Sequence, residues 1–266
     1  MVCLKLDIFI VDTFTDELFK GNPAAVVPVE DWPTNEVMQN IAFENNVSET
    51  AFIKKISHNL FYIRWFSPTI EVHFCGHATL AASFVLYHFY GCDGLIEYET
   101  AEVGLLSVIR LEDGRIQMNL PRQEAKPVDT VPVQLLAGLS IVPQAVLRNP
   151  VAYIVVLANE QQVFDMVVDI EQLRQLAPFD VAVTALSTRY DFVSRYFWPS
   201  NGGIEDPVTG SVHAGLVPYW GRVLGKPAMI AYQASERTGV LYCGLTADRV
   251  LVSGFSKLYL QGHIVI

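Results

Sequence analysis

The chain is short of positive charge. Its 266 residues hold 18 Lys plus Arg against 28 Asp plus Glu, a net charge of −10 at pH 7. That excludes the basic footprint of a nucleic-acid-binding domain. It does not exclude an anionic small ligand, because helix N-termini supply local positive potential. Cysteine is scarce too. Cys3, Cys75, Cys92 and Cys243 form no Cys-x-x-Cys pair and no dense framework, so a reducing cytoplasm fits better than a disulfide-stapled secreted fold. Long apolar runs are missing: the longest lies around Ala78 to Leu86, too short to span a bilayer. The N-terminal stretch carries Lys5 and Asp7 within its apolar residues and is not signal-like. Charged residues are only 17% of the chain and hydrophobic ones 51%, which suits a well-buried core in one large domain or two ordinary ones. The expectation is a soluble, cytoplasmic protein acting on a small-molecule substrate, with no nucleic acid, no membrane, and a homodimer left open.

What the chain does have is a repeat. Arg64-Trp65-Phe66-Ser67-Pro68 returns 131 residues later as Arg195-Tyr196-Phe197-Trp198-Pro199. Each Arg-aromatic-Phe-x-Pro copy leads to a glycine with polar neighbours and then an apolar, helix-like run. The first continues as Phe74-Cys75-Gly76-His77-Ala78-Thr79, the second as Pro207-Val208-Thr209-Gly210-Ser211-Val212-His213. An offset near half the chain reads as one fold built twice. Chemistry is then expected in a cleft shared by the copies.

Periodicity fills in the copies. Strands are expected at 4–10, 24–29, 51–56, 60–66, 95–100, 105–111 and 116–120, with helices opening at Pro33-Thr34 and at His77. The polar, Pro-containing stretch 121–132 is the expected boundary, giving halves 1–122 and 123–257. The second half is expected to hold a short helix at 133–139 and strands at 153–157, 163–168, 181–187 and 192–197. A central helix follows Gly210, then strands at 228–233, 239–242, 250–253 and 258–266. The fold class is α+β: two similar domains, each a mostly antiparallel sheet rolled around a central helix. The run from Ala78 to Leu86 is apolar nearly all round, as a helix buried on all sides demands.

The two helix starts are the first candidates for chemistry. Gly76-His77 and Gly210-Ser211 put glycine and a polar residue where unpaired N–H groups meet the helix dipole. Such groups hold a carboxylate or a developing oxyanion; ordinary capping by Ser211 or Thr209 is the alternative. Moving a proton on carbon needs a base and donors for the enolate. Glu49 and Asp206 are the candidate carboxylates, against a solvated loop residue and a helix cap respectively. His73, Cys75 and His77 alternate, as three metal ligands on one strand face would, but no fourth ligand or second cluster is evident. No metal is therefore expected. Cys75 at a helix N-terminus is a candidate reactive thiol, or else a small buried apolar residue.

Four ordered segments carry a family resemblance: Phe19-x-Gly21-Asn22-Pro23-Ala24-Ala25-Val26, Asn46-Val47-Ser48-Glu49-Thr50-Ala51-Phe52, Phe74-Cys75-Gly76-His77-Ala78-Thr79 and Glu205-Asp206-Pro207-Val208-Thr209-Gly210-Ser211. The chain resembles the PhzF-like phenazine-biosynthesis isomerases, within the diaminopimelate-epimerase-like fold. The resemblance spans almost the whole chain. It implies two similar domains with an active site between them, a final strand at 258–266 that returns to the first domain, and no cofactor. It implies that Glu49 removes a proton from substrate carbon and redelivers it, with His77 and Asp206 assisting. It makes Gly76, Gly210 and Ser211 substrate-binding. Related racemases use two cysteines, one at each helix start. Here Cys75 stands at the first and Thr209 at the second, and a threonine hydroxyl is far too weak an acid for a two-thiol mechanism. A cysteine-assisted racemase or epimerase of an amino acid is thus the second reading. A non-catalytic metabolite- or protein-binding module is the third.

Overall fold

The computed structural model describes residues 5–199 and 203–266. Leu4, where the first strand was expected to begin, and Cys3 lie outside them. Two compact units result: Met1–Asn119 with Ser253–Ile266, and Leu120–Val252. The first unit holds strands β1 (Lys5–Thr13) and β2 (Asn22–Val29), helix α1 (Asn35–Asn45), then β3 (Glu49–Lys55), β4 (Leu60–Phe66) and β5 (Glu71–Val72). Helix α2 (Gly76–Phe89) follows, then β6 (Leu95–Glu99), β7 (Leu105–Arg110) and β8 (Ile116–Pro121). The second holds β9 (Lys126–Pro127), α3 (Val133–Ala137), β10 (Ala145–Arg148), β11 (Ala152–Val156), α4 (Glu160–Phe164) and α5 (Ile170–Arg174). It continues with β12 (Asp180–Leu186), β13 (Phe192–Phe197), α6 (His213–Leu224), β14 (Ala228–Gln233), β15 (Gly239–Leu245) and β16 (Arg249–Gly254). The last strand, β17 (Ser256–Val265), pairs antiparallel with β1 along its whole length.

The repeat is visible in the strand pairing. In the first unit β1–β2 is antiparallel, β2–β3 parallel, β3–β4 antiparallel, β4–β6 parallel and β6–β7 antiparallel. In the second, β10–β11, β11–β12, β12–β13, β13–β14 and β14–β15 follow the same alternation. The registers agree residue for residue. Phe52 faces Arg64 as Val183 faces Arg195, and Ala24 faces Glu49 as Ala152 faces Asp180. Each long apolar helix sits between the fourth and fifth strands of its copy.

The recurring Arg-aromatic-Phe segment has a structural cause. Arg64 Nε and Nη2 donate to the two Glu71 carboxylate oxygens, both at 2.7 Å. Arg195 grips Glu205 in the same way at 2.7 and 2.8 Å. Two strand positions on, on the same face, Phe66 and Phe197 lie under the guanidinium groups at 5.2 and 5.1 Å. Each copy thus fastens the loop that leads into its central helix with a forked ion pair.

Local signals explain the helices. Thr34 Oγ1 accepts the Val37 N–H at 3.3 Å at the start of α1, and Asn46 ends it in the left-handed region at φ 48°. Met38, Ile41 and Ala42 form its buried stripe. Nearly every residue of α2 from Gly76 to Tyr87 is buried, so its few polar groups bond internally. Thr79 Oγ1 donates to the Cys75 carbonyl at 2.7 Å, Ser83 Oγ to the Thr79 carbonyl at 2.8 Å. No helix among the described residues is long and apolar enough to cross a membrane.

Three sequence expectations fail. The expected strand at 163–168 is absent: 163–164 end α4, capped by Asn159, whose Oδ1 accepts the Gln162 N–H at 3.0 Å, and Val168 makes only an isolated bridge to Leu139. Its valines misled; Val163 is the buried residue of α4, and Met166 is buried in the turn that follows. The four-residue β10 was too short to register. The second central helix begins at His213, not directly after Gly210. Residues 210–212 form a tight turn, with His213 N–H bonding the Gly210 carbonyl at 3.2 Å and Ala214 N–H the Ser211 carbonyl at 3.0 Å. Ser211 is therefore not an N-cap; Val212 holds that position.

Candidate active site

In the first unit three expected residues converge. Glu49 opens β3 and is 6% exposed; His77 lies in the first turn of α2 and is 5% exposed. Glu49 Oε2 is 3.0 Å from His77 Nε2. The contact is short but poorly aligned, and Oε2 accepts no hydrogen bond. On the other side of the ring, Asn22 Nδ2 lies 3.2 Å and Cys75 Sγ 3.4 Å from Nδ1. The Asn22 amide nitrogen is a donor, so Nδ1 accepts from it and the ring proton sits on Nε2, towards Glu49. Asn22 is fully buried at the start of β2, beside β3. Its role was not foreseen; Asn22 stood in the first of the four resemblance segments without a role of its own. Cys75 is the N-cap of α2, is buried, and offers no side-chain cap bond. Gly76 is buried beside it.

The donors of Glu49, Cys75 and His77 lie within 4.8 Å of one another. Oxygen, sulfur and nitrogen would suit zinc. Their directions do not. The thiol is 3.4 Å from Nδ1 and 3.9 Å from Nε2, so it lies alongside the ring, off the axis of either lone pair. His73, the third residue of the alternating motif, turns away to an exposed ion pair with Glu102 at 2.8 Å.

In the second unit Asp206 is 8% exposed and its carboxylate accepts the Thr209 hydroxyl. Its N–H donates to the Tyr196 carbonyl at 3.0 Å. Gln233, at the end of β14 and fully buried, ties this loop together. Its Oε1 accepts the Thr209 N–H at 2.9 Å, and its Nε2 donates to the Asp206 carbonyl at 2.8 Å. Thr209 occupies the place of Cys75: the Thr209 carbonyl accepts His213 Nδ1 at 2.8 Å, as the Cys75 carbonyl accepts Thr79. Gly210 is buried and Ser211 half-buried.

Two titratable groups here depart from ordinary behaviour. Burial pushes His213 down to about 4, and its bond to the Thr209 carbonyl only partly opposes this. Burial lifts Asp180 to about 6; the Tyr196 hydroxyl, donating to it at 2.6 Å, pulls the other way, and the Asp206 charge adds to the rise. Gln233, Asp180 and Tyr196 were all missed as site residues. Gln233 and Tyr196 look like ordinary strand positions in sequence. Asp180 had one available signal: it lies 131 residues after Glu49, the offset of the repeat.

Comparison with known proteins shows the family and the fold. Residues 11–266 match the phenazine biosynthesis-like protein family, PhzC-PhzF. A Pseudomonas aeruginosa protein described as an uncharacterized isomerase is 43% identical over 261 residues, 98% of this chain and 99% of that one. The crystal structure of a PhzF-family phenazine biosynthesis protein from Enterococcus faecalis superposes with a TM-score of 0.93 at 38% identity, covering 99% and 100% of the two chains. A hydroxyproline epimerase from Agrobacterium vitis shares the fold alone, with a TM-score of 0.64 at 10% identity over 98% of this chain and 93% of that one. The two-copy α+β architecture, the four ordered motifs and these similarities together place the chain in the phenazine biosynthesis-like PhzC-PhzF family.

Proposed function

We propose that the chain is a cofactor-independent isomerase that moves a proton on a small polar carboxylic acid, with Glu49 as general base and acid. One observation carries this reading: a buried carboxylate whose Oε2 accepts no hydrogen bond, 3.0 Å from His77 Nε2. A carboxylate satisfied by several donors is a poor base, because those bonds favour its charged form. An oxygen left without them keeps a lone pair to meet a substrate C–H. Glu49 takes the proton from a substrate C–H and returns it at another position. His77, its ring oriented by Asn22 on Nδ1, presents the Nε2 proton to the developing negative charge. Gly76 contributes a backbone N–H at the start of α2. Asp206, Gly210 and Ser211 hold polar groups of the substrate. The description of relatives as isomerases supports the reaction class.

A cysteine-assisted epimerase is the second reading, favoured by the Cys75–His77 contact at 3.4 Å. It is the weaker one, because the matching Thr209 hydroxyl is committed to the Asp206 carboxylate and cannot supply a second thiol. The experiment is a screen of small carboxylic acids in deuterated water, read by mass spectrometry for label at carbon and by chromatography for isomers. An isomer formed by the native protein and lost in Glu49→Gln supports the proposal. Ligands that bind without label or isomer would favour a non-catalytic binding module.

A further inference from the structure

The repeat sets an aromatic residue diagonally across from a buried carboxyl in each copy. Trp65 on β4 pairs with Ala51, two positions after Glu49 on β3. Tyr196 on β13 pairs with Ala182, two positions after Asp180 on β12. Strand residues two apart share a face, so in both copies the aromatic and the carboxyl are diagonal neighbours on one face, within reach of long side chains. In the second copy they meet: the Tyr196 hydroxyl donates to Asp180 Oδ2 at 2.6 Å. In the first they do not. Trp65 is 2% exposed. Its buried Nε1 has no hydrogen-bond partner among the described residues, and neither has Glu49 Oε2.

A buried donor and a buried acceptor left unmade are each costly. Here one of each stands where the other copy closes the bond. The indole ring also lies towards the site. It packs edge-on against Phe74, with ring centroids 5.9 Å apart, and Phe74 directly precedes Cys75 and the start of α2. The first turn of that helix carries His77, whose Nε2 is 3.0 Å from Glu49 Oε2. The side-chain lengths compensate as well. Tyrosine carries its donor at the tip and faces the shorter aspartate. Tryptophan carries its donor on the flank of the ring and faces glutamate, which is one methylene longer.

We propose that Trp65 is a positioning residue for Glu49: its indole N–H donates to the carboxylate when the side chain turns away from His77, so that Glu49 has two placements, one by each donor. The catalytic use of the second placement rests on the function proposed above, since a group that takes a proton at one carbon and returns it at another must reach both. The pairing itself does not rest on it. The pairing is tested on the ligand-free protein by nitrogen-15 NMR of the indole groups, with the Trp65 signal assigned by its absence from Trp65→Phe and the amide spectrum confirming the fold. Should Trp65→Phe fail to fold, Trp65→Tyr assigns the signal in its place. Glu49→Ala removes the acceptor and is expected to move the Trp65 indole proton upfield. Glu49→Gln keeps an acceptor oxygen and is expected to move it much less. An indole signal unmoved by Glu49→Ala, or moved as far by Glu49→Gln, would overturn the proposal. The positioning role is read on an acid that the native protein isomerises. Trp65→Phe keeps an aromatic ring and loses the donor, so kcat is expected to fall about 10-fold, the worth of one hydrogen bond, with KM within about twofold of native. Trp65→Tyr, the residue of the second copy, is expected to restore much of kcat. A kcat unchanged in Trp65→Phe, or a loss that Trp65→Tyr does not recover, would remove the role. An indole signal that responds to Glu49→Ala in a protein that turns over no acid would instead count against the isomerase reading and leave the pairing standing.

Discussion

Gln233→Leu is expected to loosen the loop that carries Asp206 and Thr209. Gln233 is fully buried and makes two good bonds to that loop, 2.9 Å from the Thr209 N–H and 2.8 Å to the Asp206 carbonyl. Leucine has similar bulk, so the cavity term is small. What remains is a buried N–H and a buried carbonyl without partners, each costing about 1–3 kcal/mol. Some apolar gain offsets this, leaving a net loss of about 2–4 kcal/mol. Urea unfolding measures it as a lower midpoint at unchanged slope, and amide exchange at Thr209 should speed up. Gln233→Glu sharpens the test. Protonated, it can still donate to the Asp206 carbonyl; ionised, it faces that carbonyl and the nearby Asp206 charge. Its folded pKa is therefore raised above the unfolded one. The stability it contributes is present below the unfolded value and is lost as pH rises through the folded value. A Gln233→Leu loss below about 0.5 kcal/mol, the range of an ordinary surface change, would refute the reasoning.

Three further outcomes are expected. Because His213 falls to about 4 in the folded chain, it contributes stability present above the unfolded value near 6.5 and lost as pH falls through 4. His213→Leu should therefore flatten the decline in urea midpoint between about pH 6.5 and 4 by about one proton; an unchanged slope would rule out the assignment. Gly215→Ala should destabilise by about 1–3 kcal/mol despite alanine's better helix propensity. Its Cβ would stand 2.5 Å from Asn149 Nδ2 and 3.2 Å from Ile154 Cδ1, and thermal unfolding would reveal a neutral effect if that crowding is easily relieved. Cys75→Ala should keep substantial turnover, since the thiol lies alongside the His77 ring and has no thiol partner at Thr209; a folded but dead variant would promote the epimerase reading.

Much of this was legible in the sequence because it is periodic. The alternation of β4 and β13, the all-round apolar α2, and the repeat itself follow from side-chain spacing, and each was read correctly. The segment 163–168 was not, because β-branched residues also fill short, capped helices whose buried face decides the outcome. The clustering of Glu49, Cys75 and His77 needed the fold: they lie 26 and 2 positions apart in sequence and meet because β3 runs beside the start of α2. Gln233 was illegible for a related reason. A strand-ending glutamine acquires meaning only when the loop it satisfies, 24 and 27 residues away, is in place.

The central claim is that Glu49 moves the proton, and the most direct measurement is the turnover of Glu49→Gln on an acid that the native protein isomerises. Glutamine keeps the size and hydrogen-bonding capacity of the side chain and removes the base. The account predicts a fall of at least about 100-fold, with urea unfolding close to that of the native protein and loss of deuterium uptake at the reacting carbon. Near-native turnover by a folded Glu49→Gln protein would contradict it.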